Sequence, residues 1–367
     1  MRILHVLNHT QRLNGHVHAA VDLACAQAAQ GHEVFVASGG GDFDGLLHEK
    51  GIKTFTVDHN RKVLNLLKAE VRLLQALRKS RAEVVHAHMM TSAVLAFPIS
   101  KLIGVPLITT VHNEFEKSAT LMGLGKRVIA VSDVVAASMR RRGVAASKLA
   151  VVLNGTIGSA RSEGRSEVPA ALHKPSIVFV GGLHPRKGLP DLLQAVDILY
   201  QSSPNFHLYI VGDGPFRQDY ELMASQLKCA PAVTFIGPAK DPYPYMLGAD
   251  IFVLPSHADP APLVLSEARE AACAVVGTKV DGIPQLLEQG EAGILVPPKD
   301  PNALAQTLQQ LIETPDQIEL WKQRSQYRID YLTIDRVARD TMQVYLSALS
   351  RQTAATTANR DQPNTTG

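Results

Sequence analysis

Cysteine is scarce, and what there is cannot be paired. Cys25, Cys229 and Cys273 are odd in number and scattered, with no C-x-x-C among them. That excludes a disulfide framework and a cysteine zinc site, and leaves free buried thiols in a reducing compartment as the expectation. Charge of one sign is also missing. A formal net charge of +3 does not call for a nucleic-acid partner. No stretch approaches the roughly 20 apolar residues that span a bilayer. The opening MRILHVLNHT, with one basic residue and a short apolar alternation, fits a first strand and not a signal peptide. A cytoplasmic protein is expected, in contact at most with the inner face of a plasma membrane. The first strand is not followed by G-x-G-x-x-G, which weighs against a dinucleotide fingerprint.

What the chain does have is length and apolar content. Its 367 residues suffice for two domains, and 46% apolar with 19% charged residues describes a globular protein. The first part alternates strand-like runs (RILHVLN, HEVFVAS, KTFTVD, EVVHAH, PLITTVH, RVIAVS, LAVVLNG) with helical patterns such as 15–30 and 63–80. Short Val/Ile/Leu runs bounded by helices predict buried parallel strands. After a Gly-, Ser- and charge-rich break the rhythm restarts with SIVFVGGL, FHLYIVGDG, VTFIGP, DIFVLPS, AVVGTK and AGILVPP. The expected fold class is α/β: two doubly wound parallel-sheet, Rossmann-like domains facing a cleft, where the C-terminal strand ends bind ligand. The expected domains are 1–160, a linker over 161–175, and 176–330. A C-terminal helix over 331–350 is expected to pack back on the first domain, and a disordered tail to occupy 351–367. The pattern over 316–349 reads as one long amphipathic helix.

Several turns carry chemistry. Asn14 and Gly15 open the first helix, and both tolerate left-handed backbone that lets a ligand approach a helix N-terminus. VGGLHPRKGL ends a strand in Gly181 and Gly182, then sets Arg186 and Lys187 before a helix. Two cations and free amides there suit a diphosphate without a metal. VGDGP places Gly212, Asp213 and Gly214 at the next strand end, bordering the same pocket. In HADPAPLVLSEAREA, Asp259 and Glu267 stand about 80° apart on a helical count, so they meet only if a loop folds Asp259 back. Carboxylates accept paired hydrogen bonds from vicinal hydroxyls, which suggests ribose for Glu267 and sugar for Asp259. His86 and His88 share one face of a strand, but no third ligand at useful spacing is found and no metal site is assigned. No aspartate cluster of the D-x-D kind is found either.

With VVHAHMM, TTVHNEF, RVIAVSD, VVLNG, VGGLHPRKG, VGDGP, DIFVLPS and LSEAREAACAVVGTKVDGIPQLLEQGEAGILVPPKDP on the page, the chain resembles the retaining nucleotide-sugar glycosyltransferases of family four (glycosyltransferase group 1), over about 1–349. The resemblance implies the GT-B fold. It also implies a ribose-binding Glu267, Asp259 in place of the first glutamate of E-x7-E, Lys187 on the donor phosphate and His112 of TVHNE beside the reacting sugar. Leu263 and Val264 join the donor-binding set on the same ground. Gly182 stands where many members carry the first phosphate arginine, leaving Arg186 as its substitute, and Gln285 stands where glutamate is common.

The expected activity is transfer of a hexose-type sugar from a UDP- or GDP-linked donor to the hydroxyl of a sugar or lipid-linked acceptor, with retention and no cofactor, in bacterial cell-envelope glycan or glycolipid synthesis. A same-face mechanism is expected, since no carboxylate in the N-terminal half is placed as a nucleophile. The alternatives are a nucleotide-sugar epimerase of similar architecture and a non-catalytic nucleotide-sugar-binding regulatory subunit. The segment 61–81 carries Arg61, Lys62, Lys68, Arg72, Arg78, Lys79 and Arg81 against Glu70, with Val63, Leu66, Leu67, Val71, Leu74 and Leu77 opposite the basic stripe. It is the candidate for peripheral contact with anionic membrane.

Overall fold

A computed structural model describes residues 1–12, 14–58 and 63–358, with the side chains of 63–67 and 351–358 left aside. The chain forms two compact units, 1–153 with 158–161 and the C-terminal stretch from Ile334, and 154–157 with 162–333.

The first unit runs β1 (Arg2–Val6), α1 (Gly15–Ala29), β2 (Glu33–Ser38), α2 (Asp44–Glu49), β3 (Lys53–Thr56), α3 (Val63–Ser80), β4 (Val84–Ala87), α4 (Met90–Ile103), β5 (Leu107–Val111), β6 (Arg127–Ala130), α5 (Asp133–Arg141) and β7 (Leu149–Val151). All pairings are parallel, in the order β3-β2-β1-β4-β5-β6-β7. Strands such as LITTV are buried at every position, which is what helices on both faces of a parallel sheet produce. Local chemistry sets the helix ends. Ser132 Oγ accepts from the Val135 N–H to start α5, and Gly104, at φ +79°, ends α4 in the left-handed region.

The second unit repeats the scheme with β8 (Ser176–Val180), α6 (Leu189–Ser202), β9 (His207–Val211), α7 (Arg217–Ser225), β10 (Val233–Gly237), α8 (Tyr243–Gly248), β11 (Ile251–Leu254), α9 (Leu263–Glu270), β12 (Ala274–Thr278), α10 (Ile283–Leu286), β13 (Ile294–Val296), α11 (Pro301–Glu313) and α12 (Pro315–Ser325). Its sheet order is β10-β9-β8-β11-β12-β13, again parallel. In each unit the strand order reverses beside the first strand, between β1 and β4 and between β8 and β11. Open α/β sheets bind ligands at that point.

The expected single helix over 316–349 is broken. α12 stops at Ser325, Arg328 adopts φ +52°, and α13 (Ile334–Ala358) starts after a short 3-10 turn. Neither Gly nor Pro marks the break, so the helical periodicity runs through it unnoticed. α13 packs on the first sheet, with Ala338, Tyr345 and Ala348 in one core with Ile3, Ile108 and Ile129. It extends through 351–358, where a disordered tail is expected; Ala is a strong helix former. Residues 359–367 of that tail lie outside the described residues.

Of the expected linker 161–175, Arg161 belongs to the first unit, where it pairs with Asp22 at 2.7 Å, and 162–175 belong to the second. The Arg165 guanidinium lies 3.4 Å from the Tyr243 ring centroid and pairs with Glu270 at 2.8 Å. Lys68, Arg72 and Lys79 are exposed on α3, while Ala69, Leu73, Ala76 and Leu77 are buried. Val71, expected on the apolar side, is 55% exposed, because two residues turn a helix by roughly 200° from its buried neighbours Ala69 and Leu73. Arg61 and Lys62 of the basic stripe lie outside the described residues, as do the side chains of Val63, Leu66 and Leu67. No described helix is long and apolar enough to cross a membrane. The three cysteines are buried and form no disulfide among the described residues.

Candidate functional site

The second unit assembles its site at the β8/β11 reversal. After β8 the chain passes Gly181–Gly182, makes a 3-10 turn at Pro185–Lys187 and enters α6 through Gly188 at φ +68°. A Cβ on Gly188 would lie 1.9 Å from the Pro255 carbonyl oxygen, so only glycine lets this turn press against the end of β11. The contact is then sealed by the His257 N–H, which donates to the Arg186 carbonyl at 2.7 Å. As a result Lys187 Nζ reaches Asp259 Oδ2 at 2.5 Å, and Arg186 Nη1 stands 4.0 Å from Asp259 Oδ1. The Asp259 loop meets the β8–α6 turn and brings Asp259 to Lys187.

Asp259 is held from several sides. Ser256 Oγ donates to Oδ2 at 3.3 Å, and the Asp259 N–H donates to Asp281 Oδ2 at 2.7 Å. Burial, and then the charge of Asp259, push the Asp281 carboxyl above its usual range. The VGDGP turn lies beside VGGL as expected. Leu183 N–H donates to Asp213 O at 2.9 Å, and a Cβ on Gly212 would come within 2.0 Å of the Gly181 oxygen. A Cβ on Gly214 would lie 2.5 Å from the Leu183 oxygen, whereas Gly182 is exposed. Glu267 is half-buried on α9, and with Leu263 four and Val264 three residues before it shares their side of the helix.

The first unit holds its titratable groups differently. His5 in β1 is in register with His86 in β4, and His88 and His112 follow the ends of β4 and β5. His5 Nδ1 lies 2.9 Å from His88 Nε2, and His88 Nδ1 lies 3.2 Å from His112 Nε2. His86 bonds Tyr345 Oη and Thr110 Oγ1, both at 2.6 Å. Burial pushes His5 down to about 4 and His112 to about 3, the latter helped by His16. His86 and His88 are held well below the ordinary value, by burial first and then by neighbouring histidines. The rings are neutral at pH 7.

Three expectations need correction. Asn14 is extended, at φ −138°, with no side-chain cap bond, and Gly15 is an ordinary first helical residue with open space around it; neither uses a left-handed backbone. His86 and His88 do have a third neighbour. The ligating atoms of His5, His86 and His88 lie within 4.8 Å of one another, because β1 and β4 are adjacent in the sheet though distant in sequence. Their nitrogens already hydrogen-bond one another, Gln27, Tyr345, Thr110 and His112. An aspartate pair of D-x-D form also exists, Asp42-Phe43-Asp44. Asp42 accepts from the Arg12 N–H, and Asp44 from Thr10 Oγ1 and the Gly41 N–H. Sequence reasoning missed His5, Gln27 and Tyr345, although a histidine inside each of two apolar strands was the available signal.

A model of group 1 glycosyl transferases matches residues 174–314, and one of glycosyltransferase family 4 matches residues 13–156. Between them they take in the core of both units. The chain belongs to the group 1 glycosyltransferases. This glycosyltransferase is 28% identical over 301 residues to glycogen synthase of Mycobacterium tuberculosis, covering 74% of this chain and 70% of that one. It is 28% identical over 148 residues to the lipopolysaccharide core biosynthesis glycosyltransferase LpsE of Rhizobium meliloti, 40% of this chain and 42% of the other. Among solved structures, Anabaena Alr3699/HepE in complex with UDP superposes with a TM-score of 0.78 at 22% identity, over 95% of this chain and all of that one. The fold is therefore the two-domain GT-B fold, and the activity that of a nucleotide-sugar glycosyltransferase.

Proposed function

We propose that this glycosyltransferase moves a hexose-type sugar from a UDP- or GDP-linked donor to an acceptor hydroxyl, with retention and without a metal, in bacterial envelope glycan or glycolipid synthesis. The observation that carries the reading is the meeting of Arg186, Lys187 and Asp259 at the β8/β11 reversal, where two packed glycine turns bare the backbone. Arg186 and Lys187 stabilise the charge that grows on the leaving diphosphate. Glu267 accepts from the ribose hydroxyls, Asp259 positions Lys187 and the sugar, and His112 acts on the donor sugar. Retention by a same-face route fits the neutral, buried imidazoles of the first unit, which offer no carboxylate nucleophile. The envelope role follows the likeness to LpsE.

Titration calorimetry with UDP and with GDP in EDTA tests the donor site. One of the two binds without divalent metal, and Lys187→Met weakens it about 10- to 100-fold, the worth of a charge-assisted hydrogen bond. Asp259→Asn does not weaken it, because Lys187 is released to the phosphates, but it lowers transfer. Binding that appears only with magnesium, or that ignores Lys187→Met, sinks the assignment.

A further inference from the structure

The histidines of the first unit form a chain with a direction, and one glutamine sets it. Gln27, fully buried on α1, places Oε1 2.8 Å from His5 Nε2, and its Nε2 lies 3.8 Å from Met342 Sδ and 3.4 Å from Tyr345 Oη. A thioether sulfur accepts and never donates, so it fixes which end of the amide is nitrogen, and the oxygen faces His5. His5 Nε2 must then carry a proton. A neutral imidazole has one N–H, so His5 Nδ1 accepts, and His88 Nε2 donates to it. His88 Nδ1 accepts in turn, and His112 Nε2 donates to it. The chain ends on His112 Nδ1, buried and without a hydrogen-bond partner among the described residues. Its lone pair is therefore bare. Tyr345 closes the network from the other side. It accepts from Gln27 and donates to His86 Nδ1, which leaves His86 Nε2–H for Thr110 Oγ1.

We infer that Gln27, through His5 and His88, holds His112 as the Nε2–H tautomer, so that His112 Nδ1 meets the substrate as a hydrogen-bond acceptor for a sugar hydroxyl. Gln27, His5 and His88 are positioning residues, and they act through His112 alone. The opposite tautomer would place an N–H at Nδ1 and turn the same hydroxyl into an acceptor, so the relay decides which partner donates and makes the sugar hydroxyl the donor at that point. This rests on the reading that His112 acts on the donor sugar, and the test separates the two.

The test is ¹⁵N NMR of the histidine rings in the full-length protein at pH 7.5, with kinetics on the same samples. The native protein shows a protonated Nε2 and an unprotonated Nδ1 on His112. Gln27→Met, close in size, removes the acceptor and mixes the tautomers; kcat falls about 10-fold or more while KM for the donor holds, the scale of losing an outer partner of a working imidazole. Gln27→Glu restores an acceptor toward His5, and recovers the tautomer and most of the lost rate. A native His112 protonated at Nδ1 overturns the inference even if no variant folds, as does a tautomer indifferent to Gln27→Met. A tautomer that changes with no change in kcat overturns its catalytic part. Full activity of His112→Ala would instead remove the role given to His112, and leave the NMR result to decide the relay.

Discussion

In the first unit the groups buried within the sheet are imidazoles that must stay neutral: His5, His86, His88 and, at its edge, His112. In the second unit the largest fully buried polar side chain is a cation. Arg269 is 0% exposed and donates to the carbonyls of Ser325 at 2.8 Å, Leu286 at 2.6 Å and Tyr327. Burial lowers it only to about 10, so it remains charged. An ion pair exists in the first unit too, Asp22 with Arg161 at 2.7 Å, but it lies outside the imidazole network. The difference has a physical lesson. A buried imidazole is satisfied as donor and acceptor in a chain only while it carries one proton, whereas a guanidinium has no acceptor and needs a fork of carbonyls. The first arrangement is vulnerable to acid and the second to substitution.

Acid should break the symmetry most. The folded pKa values of the four histidines lie below the ordinary 6.5. Between the two values the unfolded chain binds more protons, so stability is complete above pH 6.5 and is lost as pH falls below it. Each histidine contributes at most about 1.4 kcal/mol per pH unit. Hydrogen exchange at pH 7.5 and 5.5 should show the amides of β1, β4 and β5 losing several kcal/mol of protection while those of β8, β11 and β12 change little. Equal losses in both units would erase the contrast.

Arg269→Met reverses the roles. Three buried carbonyls lose their donor at once, at a cost of about 3 kcal/mol or more, and Arg269→Lys recovers little, because an ammonium cannot reproduce the fork. Protection should fall in α9 and α12 and hold in β1 and β4. The smallest effect compares two glycines. Gly104, at φ +79° in the first unit, has nothing within 4 Å of a Cβ, so Gly104→Ala costs only the left-handed strain, about 1 kcal/mol. Gly188→Ala in the second unit adds the collision with Pro255 and should cost about 2 kcal/mol or more by urea denaturation. Equal costs would mean that the β8–α6 turn yields.

The central strands were legible because burial on both faces leaves a signature in each strand alone: LITTV, SIVFV, IFVL and AVVGT are buried throughout and rich in Val, Ile, Leu or Phe, and the turns announce themselves by glycine. The break at Arg328 was hidden, since it depends on α13 docking on the first sheet and not on a local breaker. The candidate site divides in the same way. Arg186, Lys187 and the glycine turns stand close in the chain and advertise a phosphate. The partner of Lys187 lies 72 residues away, and the expectation that Asp259 faces only a sugar missed it.

By itself the sequence determined two doubly wound parallel sheets, the strand ends that bear the cations and the acids, and the kind of ligand such ends hold, because periodicity and turn chemistry act within a few residues. Tertiary structure decided which side chains touch. Strand register set His5 beside His86, and a helix 318 residues from Gln27 brought the Tyr345 hydroxyl to its amide. A proton's position along a hydrogen-bonded chain depends on every link being in place at once, and the fold alone brings those links together.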